Sequence, residues 1–196
     1  MTTTSERSQT RAHMGRAEMR GRAAAVFVLS YFTLAWVGWG LSNAARMVAT
    51  PVLIVTVLLC VAAVIGGVRM FRAGGALTVE PRQPGMNGRF GLVVVAEFVG
   101  LGIAAAVLGA TGHSLWLPAV VCAGVGIHFF PLARLFHLRM YYVTGWLLVL
   151  IAVATMVIAP LLQAPAALWQ MAPGFGAAIV LFITTVALLD THKRAG

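Results

Sequence analysis

Six long apolar stretches constrain this chain more than any other feature. They run at about 23–41, 49–68, 90–110, 115–136, 141–161 and 174–189. A spanning helix needs about 20 mostly apolar residues to cross roughly 30 Å of hydrocarbon. None of the stretches alternates with period two, so helices are favoured over the short alternating strands of a membrane barrel. Composition points the same way, with 60% hydrophobic and 10% charged residues in a chain of 196. Soluble domains carry about 25% charged residues, and a small soluble domain has too much exterior to hide this apolar excess. The same apolar content excludes a disordered chain.

The loops between stretches are short and carry breaker residues at Ser42-Asn43, Gly74-Gly75, Pro84-Gly85, Thr111-Gly112 and Pro165. The expectation is an all-α, polytopic membrane bundle of six transmembrane helices filling residues 23–190. A basic tail over 1–22, expected to be flexible, precedes it, and a short tail over 191–196 follows. The first stretch is about 19 residues long. It exceeds the 7–15 of a signal peptide and reads as a retained helix.

The net charge of +9 first suggests an acidic partner such as nucleic acid, but its placement says otherwise. Arg7, Arg11, Arg16, Arg20 and Arg22 precede the first stretch, and Arg69, Arg72, Arg82 and Arg89 flank the second loop. Arg134 and Arg139 bracket the fourth loop, while Lys193 and Arg194 close the chain. The alternate loops hold only Arg46. Loops rich in Lys and Arg stay cytoplasmic, so a thirteen-to-one split that alternates with each crossing predicts both termini in the cytoplasm. The location implied is the inner (cytoplasmic) membrane, multi-pass, with the basic loops near anionic lipid headgroups. No nucleic-acid partner is expected.

Three prolines, Pro51, Pro118 and Pro173, fall near the expected starts of helices, where a missing N–H costs least. Trp36, Trp39, Trp116 and Trp169 lie near helix ends on the outer side, and Tyr141 and Tyr142 on the inner side. Cys60 and Cys122 stand far apart and without a CxxC partner. They read as small core residues rather than as a disulfide, redox or metal site. No cofactor or metal is expected.

Acidic residues are the scarce item. Asp190 ends the last stretch beside Thr191-His192-Lys193-Arg194 and reads as an interfacial residue, together with Arg134, Tyr141 and Tyr142. Glu80 belongs to a loop. Glu97 differs, because it stands eight residues past Arg89 and so about 12 Å inside the span. His128, on the next and antiparallel span, lies roughly 9–12 Å from the same end. An ionised group in the bilayer centre costs at least about 2.5–3.5 kcal/mol, so a partner is expected. A functional polar site, a structural interhelical bond, and two side chains facing different neighbours all remain open at this point.

The segment His128-Phe129-Phe130-Pro131-Leu132-Ala133-Arg134-Leu135-Phe136-His137 has the most distinctive local chemistry. Pro131 removes a backbone donor and frees the carbonyl of Ile127, so a kink is expected. Gly124 and Gly126 precede it, and Gly100 and Gly102 follow Glu97 on the neighbouring span. Small residues let backbones approach, so the third and fourth spans are expected to form a tightly packed, broken-helix pair. With Tyr141-Tyr142-Val143-Thr144-Gly145 added, residues 128–145 resemble a segment of uncharacterised small multi-spanning bacterial membrane proteins. That resemblance implies a family without an assigned activity, and hence no substrate.

Enzyme classes fit poorly. A Mg²⁺-dependent lipid-phosphate enzyme needs several carboxylates, and Ser30 and Ser114 lack an evident activating base. A permease- or channel-like protein built on Glu97 and His128 fits best. The alternative is a non-catalytic membrane subunit, assembly factor or sensor that binds another membrane protein or its own copies.

Overall fold

The computed structural model describes residues 4–73 and 86–193. Glu80, Arg82, the Gly74-Gly75 and Pro84-Gly85 breakers, and Arg194 lie outside the described residues. The structure is all-helical, with no strand among the described residues. Its helices are α1 (Thr4–Gly40), α2 (Arg46–Ala73), α3 (Met86–Ala110), α4 (Leu117–Phe136), α5 (Arg139–Leu161) and α6 (Ala166–Lys193), with a 3-10 turn at Ser114–Trp116 before α4. Each of the six is long and apolar enough to cross a membrane.

Most boundaries fall where the breakers put them. Pro118 sits in the first turn of α4, and His137 in the left-handed region (φ 54°) closes that helix. Two prolines do not begin helices. α2 starts at Arg46, leaving Pro51 inside it. α6 starts at Ala166, eight residues earlier than expected, with Pro173 in its interior. The polar Gln170 and the Pro173-Gly174 pair look like loop in sequence. The real stop is Pro165, whose carbonyl accepts the first-turn bond from Leu168 N–H. At the other end of the chain, α1 extends back to Thr4, so most of the basic segment 1–22 continues the first spanning helix.

Side-by-side packing follows the order α2–α1–α6–α5–α4–α3, and α6 is the hub because it also touches α2 and α4. The spans with the least cover are therefore the two at the ends of this row. Half of the α6 apolar window is buried, against 11% for α2 and 0% for α3. The two tightest crossings depend on glycine. A methyl on Gly174 of α6 would lie 2.6 Å from Gly40 Cα of α1, and one on Gly145 of α5 would lie 2.7 Å from the Gly126 carbonyl oxygen of α4. No side chain fits there, so backbones meet directly.

Buried polar atoms are mostly satisfied within or between helices, as an apolar interior requires. Thr33, Thr155, Thr184 and Thr185 each donate to the carbonyl four residues earlier. Thr144 and Thr184 join α5 to α6 through a 2.8 Å hydroxyl contact. Both cysteines are buried, and each thiol donates across a helix pair, Cys60 to the Ser30 carbonyl and Cys122 to the Leu148 carbonyl.

The two ends of the bundle differ. One gathers Trp36 stacked on Trp39, and Trp116 against Trp169. There Gln170 accepts from both Ser42 and Asn43, which ties the α1–α2 turn to α6. Trp36 and Trp169 are buried in the protein rather than turned outward. The opposite end carries the arginines, with Arg20 of α1 lying over the Phe71 ring of α2 at 4.8 Å.

Candidate functional site

Glu97 and His128 meet. In α3 the residues turned toward α4 recur at Val94, Glu97, Leu101, Ala104 and Leu108, the three-and-four spacing of one helix face. Phe98, Val99, Ile103 and Val107 on the other face are exposed. This phase places the carboxylate on the seam with α4. Glu97 is six residues into its span and His128 is eight from the end of its own, about 9–12 Å from the arginine-rich end. Antiparallel neighbours at equal depth can then touch. His128 Nδ1 lies 3.0 Å from Glu97 Oε2, with 12% and 16% of the two side chains exposed.

The contact is an electrostatic approach rather than an aligned bond. Nδ1 is buried and makes no directed hydrogen bond among the described residues. With His128 protonated the two groups form an ion pair. With it neutral, the carboxylate faces the imidazole dipole alone. Both groups can carry a proton, and a small part of each remains open at the seam. The arrangement can therefore hold or exchange a proton, or attract a small cation to the carboxylate.

A hydrophobic register mark sits one turn deeper. Leu101 is four residues after Glu97, and Gly124 is four before His128. A methyl on Gly124 would fall 2.6 Å from Leu101 Cδ2, so Leu101 occupies the notch left by the missing side chain. This knob and notch set the axial alignment that brings Glu97 over His128. Sequence reasoning found Gly124 but not Leu101. The signal was the matching four-residue offset on two antiparallel helices.

Several expectations about the surrounding glycines and Pro131 need correction. Gly100 and Gly102 face open space rather than α4, with nothing within 4 Å of an added methyl. They follow Glu97 by three and five residues, but the α4-facing phase is already taken by Leu101. Gly126 packs on α5, not on α3. The close helix pair is thus α4–α5, and α3 rests on α4 more loosely. Nor is the pair broken: α3 and α4 are continuous helices, and α4 runs through Pro131 to Phe136. A single proline removes one helical bond, and the turns on either side keep theirs.

The interfacial residues divide. Arg134 is exposed near the end of α4, Asp190 is half-buried on α6, and Tyr142 is half-buried with its ring stacked near Phe130. Tyr141 is buried, with its ring edge-on to Phe129 and Phe136. It is a packing residue of the α4–α5 seam. Among the described residues, no group of three or more His, Cys, Asp and Glu side chains is placed to hold a metal ion.

In comparison with known proteins, the chain matches no family model, no curated protein and no solved structure.

Proposed function

We propose that the protein is a small permease- or channel-like protein of a bacterial inner membrane, with Glu97 and His128 as its polar site. The observation that carries this reading is the 3.0 Å approach of two proton-carrying groups at matched depth on adjacent spanning helices. Ionisable groups at that depth are costly, and function is the default explanation for keeping them. In this reading both termini and the arginine-rich end face the cytoplasm, where basic loops meet anionic headgroups. The substrate class is protons or small solutes moving with them, and no catalytic step is assigned.

The test is flux into proteoliposomes holding a pH-sensitive dye. Wild-type protein should pass protons, alone or with a small solute, and Glu97→Gln should lower the rate at least tenfold, about 1.4 kcal/mol in the barrier. Equal rates in the two proteins would remove Glu97 from transport.

A second reading, a non-catalytic subunit or assembly factor, is favoured by the apolar flanks. α2 and α3 leave most of their surface uncovered at opposite ends of the row, and either flank suits another spanning protein or a second copy as well as lipid. Absence of flux for every solute tested would favour it.

A further inference from the structure

We propose that α3 is a movable arm, held against α4 by Glu97 and released when Glu97 is protonated. The inference rests on the Glu97–His128 site described above and adds a mechanical consequence to it.

Three observations carry the arm. Among the described residues α3 packs substantially on α4 and the 3-10 turn alone, and none of its apolar window is buried. Every other helix has at least two helical neighbours. Among the described residues, the Glu97–His128 contact is the one polar link between an α3 side chain and another helix. The remaining attachment is apolar, with Leu101 seated in the Gly124 notch and half-buried Val94, Ala104 and Leu108 on the same face.

The geometry also supplies a pivot. At the tryptophan-rich end, α3 passes into α4 through Thr111, Gly112 and His113, with Gly112 at φ 75°. Gly112 N–H and His113 N–H both bond back to the end of α3. This short tether holds one end of α3 beside α4, and the proposed movement is of the opposite, arginine-rich end. Glu97 lies at the middle of α3, 13 residues from Ala110 at the turn and 11 from Met86.

Protonation acts through charge. A carboxylate leaving His128 would carry an unpaired charge into the lipid seam, which holds the arm closed. A protonated, neutral Glu97 carries no such penalty and no longer attracts the imidazole. The other titratable and charged groups are few. α3 itself also carries Arg89, two turns nearer its start. α4 offers Cys122, whose thiol is turned to Leu148 on α5, and Arg134, which is exposed near its end. His113, exposed before the 3-10 turn, lies at the pivot. None of these except His128 is shown against Glu97.

Spin labels on full-length protein in lipid nanodiscs test the arm, with Cys60 and Cys122 replaced by Ala. One pair, Leu92→Cys and Val143→Cys, spans α3 and α5 near the arginine-rich end, where both native side chains are exposed. A control pair, Val143→Cys and Val186→Cys, spans α5 and α6 at exposed positions. Acidification should add a 92–143 population longer by about 5 Å, half a helix diameter, and leave the control unchanged. Glu97→Gln should show that population already at neutral pH and gain nothing further on acidification. The proposal is overturned if the 92–143 distances ignore both pH and Glu97→Gln. It is equally overturned if the pH response persists in Glu97→Gln, or if the control pair changes with it. Arm motion without flux would leave the arm standing and remove the transport reading, whereas flux that needs Glu97 without arm motion would do the reverse.

Discussion

At the scale of single residues, the interior shows how a helical bundle carries polar atoms without water. Hydroxyls bond back to their own helix, and only a few reach across. Thr144 and Thr184 do both. Thr184 Oγ1 lies 2.8 Å from the Val180 carbonyl and Thr144 Oγ1 3.1 Å from the Met140 carbonyl, so whichever hydroxyl donates across the 2.8 Å contact does so in place of its own helix carbonyl. Thr144→Val therefore removes one interhelical bond and leaves Thr184 still bonded to Val180. The expected cost is about 0.6 kcal/mol and under about 2 kcal/mol, in line with polar bonds in other membrane bundles. Reversible denaturation in mixed micelles measures it, and a loss above that range would show that Thr184 depends on Thr144 for more than the shared bond. The matched depth of Glu97 and His128 was legible in the sequence because depth can be counted inward from charged ends, whereas their contact was not. The Thr144–Thr184 pair was not, since a threonine satisfied by its own helix gives no sign of which neighbour it faces.

At the scale of helices, contact distance is set by which glycines point inward, and that depends on phase rather than on number. Gly100 and Gly102 look like packing glycines in sequence, yet they lie on the open side of α3. Gly40, Gly145 and Gly174 carry no packing signal in sequence, yet they make the two closest crossings. Apolar residues surround all of these positions, so hydrophobic periodicity could not reveal the phase. The contrast gives a paired prediction. Gly174→Ala forces a methyl against the Gly40 backbone, which cannot rotate aside as a side chain would, and should destabilise the α1–α6 crossing by about 1–3 kcal/mol. Gly100→Ala meets nothing and should not destabilise, gaining up to about 1 kcal/mol from the loss of glycine's backbone freedom. Thermal unfolding of the two variants in the same detergent separates them, and equal losses would contradict the packing described for α6. The late start expected for α6 has a similar origin. A proline followed by glycine reads as a helix start, but here both residues serve the crossing with α1 inside a longer helix.

At the scale of the whole molecule, the sequence held one kind of information and lacked another. The alternation of basic and neutral loops matched six helices of spanning length and indicated which helix ends lie together, because basic residues are sorted to one side loop by loop. The structure agrees that these ends meet, through Gly40 with Gly174 and Trp116 with Trp169. The neighbour order α2–α1–α6–α5–α4–α3 left no such trace, since any apolar face can pack on any other. Which side each end faces is proposed from charge alone and is open to a direct test. His113, Gln163 and His137 are exposed in loops or turns, the first two at the tryptophan-rich end and the third at the arginine-rich end. In a background without Cys60 and Cys122, an impermeant maleimide added to intact cells should label His113→Cys and Gln163→Cys, and should reach His137→Cys only after the membrane is opened. The reverse pattern would invert the orientation and place Glu97 nearer the outer surface. Labels at 113 and 163 on opposite sides would break the six-crossing count itself, and with it the equal depth that lets Glu97 meet His128.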